Sequence, residues 1–299
     1  MDYFLQQSLN ALSIGGEYAL LALGLAIVFS VMGLVNFAHG ELIALGGYAM
    51  YVMLIFAAPP VALLLPVCIV AAMGSAVLFE RVAFRPIRNA PPTTGLLTAF
   101  GVSIIVQNIL VLFVATRPRP VPTPQWMRGT ISVGELNIPV LQLLESLATG
   151  IALVALLLLL RRTHIGLAMR AAAKDFVMVR MMGIRANRVI MTAFAVSGAL
   201  AGIAAVFIIS RRGAVDPFMG FIPLLKAFVA CVLGGFGSLL GALVGGLALG
   251  IMEVFLQAVL PHDIAGYRDA IVFLLVGLVL VARPEGLVGR RVELGDKDE

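Results

Sequence analysis

Asn36, His39 and Glu41 place an amide, an imidazole and a carboxylate within six residues, in the segment Gly33-Leu-Val-Asn-Phe-Ala-His-Gly-Glu-Leu-Ile-Ala-Leu-Gly-Gly-Tyr48. Apolar runs flank the segment on both sides. On a helix Asn36, His39 and Gly40 fall at i, i+3 and i+4 and share a face that Ala44 and Gly47 extend with small side chains. Polar groups are expensive in hydrocarbon and normally face a protein interior or a water-filled path, where broken helices are also tolerated. The segment is therefore expected to line or gate a path, through Asn36, Phe37, His39, Gly40 and Glu41. The competing expectation is that Asn36 and His39 merely cap a helix start. A third is that His39 and Glu41 relay protons, as in a proton-coupled secondary transporter or channel.

Soluble catalysis finds no support in the motifs. A phosphate-binding P-loop needs Gly-Lys followed by Ser or Thr, and none of Lys174, Lys226 and Lys297 follows a glycine. His39, His164 and His262 are far apart and fit no metal-ligand spacing, so neither a metal nor a bound cofactor is expected. Cys68 and Cys231 lie in apolar runs, where a thiol behaves as a small hydrophobe.

Around these residues the chain is built for a membrane. Of its 299 residues 61% are hydrophobic and only 12% charged, which excludes an ordinary soluble enzyme or a disordered tail. Apolar runs near 8–32, 41–58, 61–79, 94–115, 140–160, 189–210 and 267–282 are long enough to span. The run at 221–260 is too long for one helix, and Gly234, Gly235, Gly237 and Ser238 near its middle predict a turn between two. The expectation is one all-α polytopic domain over 1–299, with about nine transmembrane helices, eight to ten being possible, some of them broken. The start Met-Asp-Tyr-Phe-Leu-Gln-Gln lacks the basic residues of a cleaved signal, so the first run is expected to remain as a span.

The net charge of +5 reflects topology and predicts no nucleic-acid partner, because the basic residues gather in short hydrophilic segments. Arg81, Arg85 and Arg88, seven more between Arg161 and Arg188, and Arg283, Arg290, Arg291 and Lys297 make 14 of the 21 positive charges. Nine spans put all of them on one side, so the positive-inside rule predicts a cytoplasmic C-terminus and a periplasmic N-terminus. The external loop at 116–139 carries alternating prolines and Trp126 and is expected to be a stiff, extended connector.

Two further segments stand out. Gly241 and Gly245, with Gly246 and Gly250, recur at four-residue spacing and are expected to let helix backbones pack closely. Glu253 shares the Gly250 face and could bring a charge to the path, as could Gln107 and Asn108 in the fourth span. In the inner loop 161–188, Gly166 and Gly183 bracket about 16 good helix formers, predicting one helix, capped at Gly183, across the inner mouth. Arg170 and Lys174 are one turn apart on it, while Phe176, Val179 and Gly183 lie on another face. Such a helix could rest on membrane lipid or dock into a soluble partner.

At these residues the sequence resembles the LivH-type permease subunits of bacterial ABC importers for branched-chain amino acids. The similarity lies in Asn36-Phe-Ala-His-Gly-Glu41 with Gly46-Gly-Tyr48, Glu80-Arg-Val-Ala-Phe-Arg-Pro86, Thr163 to Val189 with Ser197-Gly-Ala-Leu-Ala-Gly202, Leu233 to Ala242, and Arg283-Pro-Glu-Gly-Leu287. The resemblance implies a non-catalytic inner-membrane subunit beside a LivM-like second permease, two cytoplasmic ATPases that hold ATP and Mg, and a periplasmic binding protein. It also implies that the 166–183 helix couples to an ATPase, with Arg170, Lys174 and Asp175 orienting the contact and Phe176, Val179 and Met182 packing in it. Val179, Arg180 and Lys174 depart from the usual residues of the family. Relatives that move urea, short amides or aromatic carboxylates keep the cargo open between these and amino acids.

Overall fold

The computed structural model describes residues 2–56, 63–88, 90–114, 116–133 and 136–288. The chain runs through α1 (Asp2–Met32), α2 (His39–Phe56), α3 (Leu64–Phe79), α4 (Pro92–Phe113), α5 (Val140–Arg162), α6 (His164–Ala172), α7 (Phe176–Met181), α8 (Ala186–Arg212), α9 (Phe221–Gly234), α10 (Leu239–Val259) and α11 (Arg268–Ala282). A π-helical turn at Glu80–Phe84 extends α3. Among the described residues eight helices are long and apolar enough to cross a membrane. The ninth, α9, has 14 residues and rises only about 21 Å, short of a hydrocarbon core. Among the described residues nine apolar helices thus form, but one of them is half a span. The predicted turn in the 221–260 run holds, at the four residues between α9 and α10.

α1 and α8 are the most enclosed helices, with 83% and 72% of their apolar windows buried, against 17% for α4 and 11% for α11. Their packing is glycine-mediated, because in lipid close backbone contact rather than hydrophobic force drives association. A methyl at Gly246 or Gly250 would overlap the α1 backbone at Ala19 or Gly15, and one at Gly198 or Gly202 would press on the α3 backbone at Ala72 or Cys68. Gly241 and Gly245 do the same between α10 and α9, against Gly234 and Ala230.

These contacts expose a repeat that the sequence reading missed. α1 packs on α10 as α8 packs on α3, α1 on α9 as α8 on α2, and α2 on α3 as α9 on α10. α1 and α8 are antiparallel, since His39 of α2 touches Gly24 and Ser197 while Arg211 reaches back to Glu17. The unit α1–α3 therefore recurs upside down as α8–α10. Positions of its hinge recur at constant separation: Ser30, Gly33, Val35 and Gly40 match Ser210, Gly213, Val215 and Gly220, and Asn36 corresponds to Asp216. Gly33 and Gly213 both end their helices with positive φ, 70° and 68°, which glycine adopts without steric cost. Asn36 and Asp216 then close the same side-chain turn, accepting from the amides of Ala38 (3.1 Å) and Phe218 (3.0 Å).

Each hinge carries the chain back into the bundle before the next helix starts. α2 and α9 begin at the same depth, where Gly40 meets Gly220, and run to opposite ends. From that depth α9 runs for 14 residues before the turn at 235–238, and α2 for 18. The end where α1 begins is here called the near end, the other the far end.

The loop at 116–139 is more structured than expected. β1 (Arg119–Pro120) pairs with β4 (Ala214–Val215), tying the loop to the second hinge, and β2 (Thr130–Val133) pairs with β3 (Leu136–Pro139) as a hairpin. Residues 119–121 are extended as the prolines require, yet their carbonyl and amide groups still find partners in the hinge. Of the basic residues counted above, Arg290, Arg291 and Lys297 lie outside the described residues.

Candidate functional site

The crossover gathers most of the polar residues of the 33–48 segment. α2 starts at His39, so Asn36 sits in the preceding turn and does not share a helical face with it. Its side chain caps the turn, and at 1% exposure its Nδ2 has no partner. His39 is fully buried, its Nδ1 3.0 Å from the Ser197 hydroxyl of α8, while Nε2 is unpartnered against Gly24. Glu41 points the other way. Its Oε1 accepts from Ser103 Oγ and Gln107 Nε2 of α4, each at 2.7 Å, and Oε2 is buried without a partner. Phe37 stacks on Phe100 at 4.5 Å and leans on Phe228 of α9 at 6.0 Å, so one aromatic cluster joins the hinge to α9 and α4.

Three buried polar atoms in one crossover have no hydrogen-bond partner among the described residues, whereas buried polar groups normally find one in protein or ordered water. Gly40 and Gly220 set the geometry, since only two glycines allow backbone-to-backbone approach where the two helices meet. Asn108 is not brought in: it is exposed and donates to the Ile104 carbonyl of its own helix.

Glu253 belongs to a second cluster. Lys226 Nζ of α9 donates to both Glu253 oxygens at 2.8 Å and to Tyr18 at 2.9 Å, Tyr18 donates to Glu253 at 2.6 Å, and Arg268 closes on Glu253 at 2.9 Å. Asp269 lies 3.4 Å from Lys226, so two cations face two carboxylates. A third cluster was not anticipated. Arg211 pairs with Glu17 and, at 2.6 Å, with Glu145, which also accepts from Ser13 at 2.6 Å. It forms one wall of a near-end cavity of about 650 Å³ that Gln7, Asn10 and Gln257 also line. Glu145 is a lone carboxylate in an apolar run, which is the signal that could have found it.

At the far end the inner loop differs from its expectation. The single helix between Gly166 and Gly183 is two, α6 and α7, broken where Asp175 accepts from the Met178 amide at 2.8 Å and caps a new start. An N-cap aspartate satisfies an orphan amide that continued helix would have paired, and here it wins over helix propensity. Gly183 does terminate the segment, at φ 78°. Val179 is buried within the chain and Phe176 half-buried, so their packing is at least partly internal. Met178, Met181 and Met182 are the exposed apolar residues, with Arg170, Lys174 and Asp175 exposed beside them. An apolar groove of about 960 Å³ runs between α6 and the start of α8, lined by Ile165, Leu167, Ala168, Met182, Ile184 and Val189 among others.

Residues 8–282 match a family profile described as branched-chain amino acid transport system / permease component. The chain is 37% identical to the high-affinity branched-chain amino acid transport system permease protein LivH of Escherichia coli over 96% of both chains. It is 36% identical to the LivH protein of Salmonella typhimurium, also over 96% of both. With the permease protein BraD of Pseudomonas aeruginosa the identity is 35%, again over 96% of each chain.

Proposed function

Because the chain belongs to the family of permease components of branched-chain amino acid transport systems, we propose that it is the translocating subunit of an ATP-driven importer whose cargo is a branched-chain amino acid. It works beside a related second permease, with two cytoplasmic ATPases that bind ATP and Mg and a periplasmic binding protein that delivers the cargo. The permease itself catalyses no reaction. The observation that carries this reading is the crossover, where α2 and the half-length α9 start from matching hinges, meet at Gly40 and Gly220, and run in opposite directions. Inverted repeats with broken helices meeting at mid-depth suit alternating access, because tilting one repeat against the other opens either end around the same point. Asn36, His39 and Glu41 each keep one unpartnered buried atom there, available to a second conformation or a passing polar solute.

The far end is assigned to the cytoplasm. Arg81, Arg85 and Arg88, the α5–α8 connection and Arg283 all fall at that end, as the positive-inside rule requires. The ATPase contact is assigned to α6 and α7, where exposed Met178, Met181 and Met182 offer adaptable apolar side chains beside Arg170, Lys174 and Asp175. Met181→Asp is expected to abolish co-purification of the ATPases while leaving the permease monodisperse, since Met181 is 78% exposed and supports no internal packing. Unchanged co-purification would move the contact elsewhere.

A proton relay through His39 and Glu41 is disfavoured, since each bonds to a different helix and the described residues supply no hydrogen-bonded bridge between them. The test is uptake of labelled leucine into proteoliposomes holding the full complex, with ATP and the binding protein each present or omitted and urea and benzoate as competitors. Uptake that requires both ATP and binding protein is expected. No uptake of labelled leucine, but ATP- and binding-protein-dependent uptake of labelled urea or benzoate, would replace the cargo, and ATP-independent uptake by this chain alone would overturn the reading.

A further inference from the structure

The far end holds a second feature that transport and ATPase docking leave unused. A cavity of about 970 Å³ lies between the end of α1, the turn after α3, α7 and the start of α8. Its wall carries five arginines, Arg85, Arg88, Arg180, Arg185 and Arg188, and no acidic residue. Only Arg88 is compensated: one terminal nitrogen pairs with Glu80 and the other donates to Asn187. Its Nε is buried and unpartnered. The other four guanidiniums have no acidic partner among the described residues.

Five like charges around one volume repel one another, and the single carboxylate Glu80 neutralises one of them. Arginine presents planar, bidentate donors that match phosphate oxygens, and arginine-lined pockets at the cytoplasmic ends of membrane helices suit phosphate-bearing headgroups. Val31, Met32 and Ile190 add apolar side chains to the lining, against which an acyl or glycerol moiety could rest. We propose that this cavity binds a phosphate group, held between the turn after α3 and the α7–α8 connection. The bound anion would fix α7 relative to α3 and α8, and so set the position of the α6–α7 segment.

The test uses the full-length permease in its complex and reads phosphate binding, not transport. Native mass spectrometry would count phosphatidylglycerol retained from nanodiscs of phosphatidylcholine with phosphatidylglycerol. Calorimetry with inorganic phosphate supplies the soluble arm. The variant R85Q/R185Q/R188Q is compared with R117Q/R119Q/R128Q, which neutralises as many charges in the opposite loop. About 100-fold weaker binding is expected for the first and little change for the second. Displacement of phosphatidylglycerol by inorganic phosphate would show that a soluble anion shares the site; phosphate binding without lipid retention would assign it to the soluble source. In the wild-type protein, phosphatidylglycerol or phosphate should shield Arg85, Arg185 and Arg188 from phenylglyoxal, a readout that needs no variant to fold. Absence of both shielding and binding would overturn the proposal. So would a triple variant that binds phosphate and lipid normally but loses the ATPases, since the arginines would then serve a protein contact.

Discussion

Lys226→Met is expected to destabilise the permease by about 3 kcal/mol, seen as a lower midpoint when detergent-solubilised protein is heated and then assayed by size exclusion. Lys226 is 7% exposed, its ammonium bonded to both oxygens of Glu253 and to Tyr18 and lying 5.2 Å from the centre of the Tyr18 ring. A methionine fills much of the same volume, so the loss is electrostatic. Glu253, 4% exposed, would keep the Tyr18 hydroxyl but only one cationic partner, Arg268, whose own charge is shared with Asp269. Removing one member of a buried pair strands the other without water, which costs more than the pair contributes when intact. Lys226→Met with Glu253→Gln removes one charge of each sign and leaves Arg268 on Asp269, so more than half of the loss should return. A single variant as stable as wild type would show that the network does not hold α9 in place. Because α9 is half a span, its inner end has few alternatives to this anchor: Tyr18 of α1 and Glu253 of α10 grip it within two turns of its start.

What the sequence revealed and what it withheld follow from the range of the interactions involved. Apolar length sets the spans, so their number and the turn between α9 and α10 were legible, as was the close packing at Gly246 and Gly250. The half-length of α9 was not, because its residues are as apolar as a full span, and neither was its start at mid-depth, which the inward course of 213–220 sets. The inverted repeat was visible in principle as Gly33, Asn36 and Gly40 matched by Gly213, Asp216 and Gly220. It was obscured because neighbouring positions diverge, His39 to Met219 and Glu41 to Phe221, as the two hinges face different helices. Of the candidate path residues, Asn36, Phe37, His39, Gly40, Glu41 and Gln107 converge, while Asn108 lies outside and Glu253 anchors another cluster. Spacing along one helix cannot tell which way a polar residue faces until its neighbours are known.

The same crossover yields the second large effect. Gly220→Ala is expected to cost about 3 kcal/mol or more and, where protein still accumulates, to lower uptake at least about tenfold. A methyl at Gly220 would overlap the Gly40 carbonyl, and one at Gly40 would come within 2.7 Å of the Gly220 oxygen and 3.1 Å of its carbon. Both obstacles are backbone, so no rotamer change relieves them; the two helices must move apart. That separation would also disturb Phe37 against Phe228 and the Ser197 contact of His39, which lie beside the same point. Gly74→Ala and Gly101→Ala are the controls. Each is inside a helix with nothing near the added methyl, so each should be neutral or stabilise slightly by helix propensity. Gly40→Ala should reproduce the Gly220 phenotype, because the two glycines share one contact from opposite repeats. Should Gly220→Ala transport normally, the two helices do not need their close approach at any stage of the cycle, and the alternating point must lie elsewhere. If instead both alanine variants fold at reduced temperature yet fail in uptake, the defect sits in the motion, as expected of a contact that both access states must pass through.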